Sequence, residues 1–166
     1  MVFHIDDRVV HSAYGVGRIV GLVTKRFFDA EARLYYEIAI QRSTVWVPVD
    51  AGPASGLRPL TPKGELARFR GVLRSRPVAL IPDPGERRLE LLSRLRVGSF
   101  QAMCEIVRDL TARSWRKTLG NADAAALRRA REGLCQEWAV VDGVSALQAA
   151  EEVDALLLES RQAYRA

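Results

Sequence analysis

Histidine and cysteine are scarce, two of each in 166 residues, and Cys104 and Cys135 form no CxxC pair. Neither a disulfide framework nor a thiolate zinc site is suggested. Both cysteines sit in helically patterned segments and read as buried structural thiols. Long hydrophobic runs are also missing: nothing approaches the roughly eighteen apolar residues of a membrane-spanning helix, so no membrane partner is expected. The opening MVFHIDDRVV is interrupted by Asp6 and Asp7 where a signal peptide needs an apolar stretch, and a cytoplasmic protein is expected. No internal repeat or low-complexity tract is visible.

Catalytic equipment is thin for the same reason. His11 beside Ser12 invites a nucleophile-and-base reading, but neighbours on a strand point to opposite faces, and no third group is placed to orient them. Asp6-Asp7 reads as a solvated turn. The glycines of AYGVGRIVG, at 15, 17 and 21, lead into another extended run instead of a helix N-terminus, so they do not cradle phosphate. They read as the bend of a hairpin. No enzyme, catalytic residue, metal, cofactor or small-molecule substrate is expected.

What the chain does have is 48% apolar residues and a net charge of +5. The positive excess is central. Residues 1–60 carry a net +1, residues 61–136 a net +8 and residues 137–166 a net −4. A basic middle fits contact with a polyanion such as nucleic acid, and a solvated helical surface has the same composition.

The first sixty residues are written in a period of two. RVVHS, GRIVGLVTKR, ARLYYEIAIQ and STVWVPVD are β-branched or aromatic runs separated by turns. Four strands at that spacing predict a small, bent sheet or partial barrel of the SH3 or Tudor type. Leu34, Tyr36, Ile38 and Ile40 share one face, as do Val45, Val47 and Val49, and Trp46 points the other way. Pro48 cannot donate a ladder hydrogen bond, which places the last strand at an edge. The Gly/Pro-rich AGPASGLRPLTP marks a boundary at about residues 51–61, giving a β domain over 1–55 and a helical domain over 61–166.

From Thr61 the period becomes 3.6. Thr61-Pro62 predicts a capped helix carrying Leu66, Phe69, Val72 and Leu73; Asp83-Pro84-Gly85-Glu86 opens a second with a Leu89, Leu92, Leu95 stripe. Ser99 caps a third that Gly120 ends. Asn121 or Asp123 starts a fourth, and Ser145 a fifth. The fold class is therefore α+β: the bent sheet followed by an all-α bundle of about five helices.

Four groups of side chains bear on function. Trp46, outward on an edge strand, either anchors a partner or is covered by the helical half. Arg87 and Arg88 open a helix, where their side chains project beside unpaired backbone N–H groups that attract phosphate. Arg128, Arg129 and Arg131 face water on an alanine-rich helix. Trp115 and Trp138 read as core or interdomain packing.

The order FHIDDRVVHSAYGVGRIV (3–20), YYEIAI (35–40), TVWVPV (44–49), EIVRDL (105–110) and then ALRRAREGL resembles the bacterial CarD/CdnL family of transcription regulators. The resemblance covers nearly the whole chain. It implies an N-terminal Tudor-like domain, shared with transcription-repair coupling factors, that extends its sheet by binding the RNA polymerase β subunit at an edge strand. It also implies a helical domain on promoter DNA, where a tryptophan wedges into the minor groove and stabilises the open complex. By that resemblance Lys25 and Trp46 fall in the polymerase-binding surface, Trp46 where relatives present arginine, and Arg87 and Arg88 fall in the DNA-binding motif. The wedge position falls on Gly85, which has no side chain to insert. A wedge-less relative that binds polymerase as an adaptor, without DNA contact, is the alternative.

Overall fold

Gly15 and Gly17 shape the first hairpin. Gly15 takes a positive φ of 91°. A Cβ on Gly17 would lie 2.6 Å from Ile40 Cγ1 and 2.8 Å from Ile38 Cγ2, so only glycine fits. The computed structural model describes residues 2–28 and 30–164, which divide at Leu60/Thr61 into two compact units. In the first, β1 (Arg8–His11), β2 (Gly15–Lys25), β3 (Arg33–Ile40), β4 (Ser43–Pro48) and β5 (Leu57–Pro59) form one antiparallel sheet ordered β4-β3-β2-β1-β5. The register slips between Ile19 and Gly21, a bulge that sharpens the twist.

Alternation explains the core. Tyr36, Ile38 and Ile40 of β3 turn inward with Val9, Ile19 and Val47, and Phe3 joins them, its N–H donating to the Tyr36 hydroxyl at 3.1 Å. Leu34, expected on that face, is exposed at the strand's far end. The segment expected to be a linker differs too. It folds as a short 3-10 stretch over Val49–Ser55 and then supplies β5, whose Leu57, Arg58 and Pro59 pair with His11, Val10 and Val9. Pro59 suits such an edge strand, so a fifth strand hides inside Gly/Pro-rich sequence.

The second unit holds α1 (Leu66–Arg74), α2 (Pro84–Val97), α3 (Phe100–Ser114), α4 (Asn121–Asp142) and α5 (Ala146–Ala163). Asp83 accepts from the Glu86 N–H and Ser99 from the Ala102 N–H, while Ser145 and Gln148 close a capping box. Thr61 does not cap. Its N–H and hydroxyl both donate to Glu137, at 3.1 and 2.6 Å, and α1 follows a short turn over Lys63–Glu65 instead. α3 ends at Ser114, short of Gly120, which takes the cap position of α4.

α4 packs against α2, α3 and α5, and α1 against α3 and α5. Trp138 on α4 is fully buried, its ring 6.0 Å from Phe100, which meets Phe69 edge-on at 4.7 Å. Each such buried aromatic contributes a few kcal/mol, of the order of 1.5–3. Among the described residues no helix is long and apolar enough to cross a membrane.

Candidate functional site

The free long edge of the sheet is β4, and its backbone polarity follows from the hairpin before it. Gln41 and Arg42 connect β3 to β4 with Gln41 at φ 53°, and Ile40 faces Ser43. A two-residue connection of this kind closes on a hydrogen-bonded pair, after which bonded and non-bonded pairs alternate. Ile38/Val45 and Tyr36/Val47 are then bonded pairs. Thr44, Trp46 and Pro48 turn their backbone polar groups away from β3, and Pro48 sits where the missing N–H costs the sheet nothing.

Beside that edge the structure brings together the two residues assigned to polymerase binding. The Lys25 ammonium lies 3.9 Å from the centroid of the Trp46 ring, and the Trp46 indole N–H donates to Glu37 Oε2 at 3.0 Å. Glu37 is the cross-strand partner of Trp46, so one carboxylate fixes the indole and the ammonium covers its face. Trp46 stays 37% exposed. Sequence reasoning missed Glu37, although alternation along β3 places it on the outer face. Arg33 and Asp50 extend this charged surface, paired at 2.6 Å, and the hydrogen bond from Arg33 holds the Asp50 carboxyl below its ordinary range.

At the α2 N-terminus the two arginines part company. Arg87 is only 6% exposed; its Nε donates to Asp123 Oδ1 at 3.0 Å and its Nη1 to the carbonyls of Ile81 and Pro82 at 2.9 and 3.1 Å. The expectation that Arg87 projects to meet phosphate is corrected. Its guanidinium ties α2 and the preceding segment to α4. The cause is a burial stripe of period four, Arg87, Leu91, Leu95, in place of the expected Leu89, Leu92, Leu95, which leaves Leu89 68% exposed. Arg88 and Gly85 face solvent, and among the described residues Arg88 has no acidic partner.

The remaining candidates resolve individually. His11 Nδ1 accepts the Ala13 N–H at 3.0 Å, and burial holds its imidazole below the ordinary value. Cys104 is sealed in the core, where burial, then Glu137 and Glu105, push the thiol up and keep it protonated. Asp6 and Asp7 form a turn: Asp7 Oδ2 accepts the His4 N–H at 2.7 Å, and Asp6 pairs with Arg18 at 3.3 Å. Arg131 pairs with Asp154 at 2.7 Å, and Arg128 faces solvent. Trp138 is core, as expected, whereas Trp115 is half-buried at the end of α3.

Two family models match the chain: the CarD-like/TRCF RID domain over residues 3–61 and the CarD C-terminal domain over residues 71–154. A relative from Bacillus subtilis (strain 168), named "Putative transcription factor YdeB", is 27% identical over 150 residues, covering 89% of this chain and 97% of its own. Both units thus match parts of one family, in the same order. The chain belongs to the CarD family of transcription regulators, which act on RNA polymerase.

Proposed function

We propose that the chain docks on the β subunit of RNA polymerase by adding a partner strand along β4, and that its helical unit lies on promoter DNA. The observation that carries the dock is the edge itself: outward backbone groups at Thr44 and Trp46, flanked by an indole that Glu37 and Lys25 hold in place. Strand addition gains affinity from main-chain hydrogen bonds and selectivity from such neighbouring side chains. The work takes place in the cytoplasm, where the polymerase is.

On the DNA side, Arg88 keeps the phosphate-contacting role and Arg87 becomes its structural support. Gly85 supplies no wedge, so the contact is electrostatic, weak and steeply salt-dependent. A second reading, a polymerase-bound adaptor without DNA contact, is favoured by Gly85 and by the burial of Arg87. Stimulation of open-complex formation in a promoter-melting assay supports the first reading. Polymerase binding without stimulation supports the second.

The dock is tested by pull-down with the isolated β-subunit lobe. Thr44→Pro removes an outward N–H without removing a ladder bond, so it is expected to abolish capture while circular dichroism stays native. Trp46→Ala is expected to weaken capture about tenfold, in line with loss of a well-packed interface aromatic. Undiminished capture by Thr44→Pro contradicts strand addition at this edge.

A further inference from the structure

A pocket of about 560 Å³ opens on the helical unit between the connector after α1, the end of α3 and the end of α5. Each wall brings an arginine: Arg76 from the connector, Arg116 from beyond α3, Arg161 from α5. Among the described residues no carboxylate lines the pocket and none of the three guanidiniums has an acidic partner. Elsewhere in this unit arginines do find acids, as Arg70 does with Glu152, Arg108 with Asp109 and Arg131 with Asp154. Three exposed cations converging without one are an unmet positive potential.

Two of the three are held by rings. The Arg161 guanidinium lies over Trp115, 5.0 Å from the ring centroid, and that of Arg76 over Tyr164 at 5.6 Å. A ring face takes up none of a guanidinium's hydrogen-bonding capacity through an acceptor atom, so N–H groups remain to meet phosphate oxygens. The floor is fixed as well. Buried Ser160 donates to the Ser75 carbonyl at 2.8 Å, Arg108 donates to the Ser75 hydroxyl at 2.8 Å, and Asp109 accepts the Val78 N–H at 2.9 Å. This network ties the connector to α3 and α5, so the pocket is preformed. Arginines at the ends of α3 and α5 also complement the helix dipoles, but that explains neither Arg76 on the connector nor the aromatic supports.

We propose that this pocket binds a nucleoside polyphosphate. Three arginines on three elements suit several phosphate groups. Pro77, Ala112 and Leu158 give the wall an apolar part that phosphate alone leaves empty, and the volume lies in the roughly 300–1,000 Å³ range of small-molecule sites. The lining includes neither a β4 residue nor Arg88, and the proposal stands without the polymerase dock.

Calorimetric titration of the full-length chain with ATP, with GTP and with inorganic tripolyphosphate tests this, Trp115 fluorescence serving as a local reporter. At least one nucleotide is expected to saturate and to bind tenfold or more tightly than tripolyphosphate. Arg161→Ala and Arg76→Ala are each expected to weaken it tenfold or more. Arg96→Ala, an exposed arginine on α2, is expected to leave it unchanged. Three results overturn the proposal: no saturation by either nucleotide at about 1 mM, tripolyphosphate binding as tightly as the nucleotides, or unchanged affinity in both pocket variants. A short DNA duplex that loses affinity in those variants while neither nucleotide binds reassigns the arginines to a nucleic-acid backbone, and also overturns it.

Discussion

Adjacent arginines at the start of α2 carry different physics. Arg87 is buried against Asp123, which Arg113 also approaches at 3.5 Å, so removing Arg87 leaves a buried carboxylate short of one partner. Arg87→Ala is expected to cost about 3 kcal/mol of stability in the helical unit, the lower end for breaking a buried pair because Arg113 remains. Arg88→Ala, at an exposed site, is expected to stay within about 0.5 kcal/mol. Urea unfolding of the two variants checks the contrast, and a DNA-binding titration is expected to single out Arg88→Glu as the functional loss. His11 gives a second residue-scale test. Burial lowers its pKa in the folded state, and its Nδ1 accepts a backbone N–H, which only the neutral ring does. The unfolded chain takes up that proton at about pH 6.5, so this stability is full above that value and is lost as pH falls below it. Amide protection factors across β1 and β2, taken relative to the intrinsic exchange rate at each pH, are expected to fall as pH drops below about 6.5. In His11→Gln that fall flattens; an unchanged slope assigns it to other groups.

Elements show what was legible in the sequence and what was not. Alternation gave the inward faces of β3 and β4, because one buried face demands a period of two. Capping residues gave the starts of α2, α3 and α5, because four unpaired N–H groups demand acceptors wherever a helix begins. β5 was not legible: a three-residue edge strand needs no apolar pattern, and its pairing with β1 is fixed by chain return. The rotation of α2 was hidden for another reason. An arginine on the inward stripe reads as polar until its partner Asp123, 36 positions away, is known. Of the candidate site, Trp46 and Lys25 were named from the sequence and their contact was not. Glu37 and the Trp115 pocket were missed, since both depend on neighbours distant along the chain. The exposed first turn of α2 carries its own prediction. A Cβ at Gly85 would lie 3.3 Å from Asp83 Oδ2, the oxygen that caps α2, so a side chain is accommodated once the exposed Asp83 carboxylate gives by a few tenths of an ångström. Gly85→Trp is expected to fold normally and to raise open-complex lifetime in a promoter-melting assay, because it restores an aromatic wedge. An unchanged lifetime separates this helix from the DNA.

Across the whole chain, the central basic excess is partly answered from within. The acidic tail residues Glu152, Asp154 and Glu159 pair with Arg70, Arg131 and Arg74, whereas the Arg108–Asp109 and Arg87–Asp123 pairs are already counted within the central segment. The formal +8 of residues 61–136 therefore overstates what an external polyanion meets. Among the described residues, Arg88, the three arginines of the Trp115 pocket and the exposed Lys63, Arg96, Lys117 and Arg128 keep no acidic partner, so the remaining positive charge is spread over several elements of the helical unit. The dock rests on the β unit and its open edge, independently of that charge. Hydrogen exchange of the full-length chain with and without the polymerase β-subunit lobe tests that edge most directly. The Thr44 and Trp46 amides, which face away from β3, are predicted to become strongly protected on binding. Exchange at those two amides that stays unchanged while protection appears elsewhere contradicts the dock.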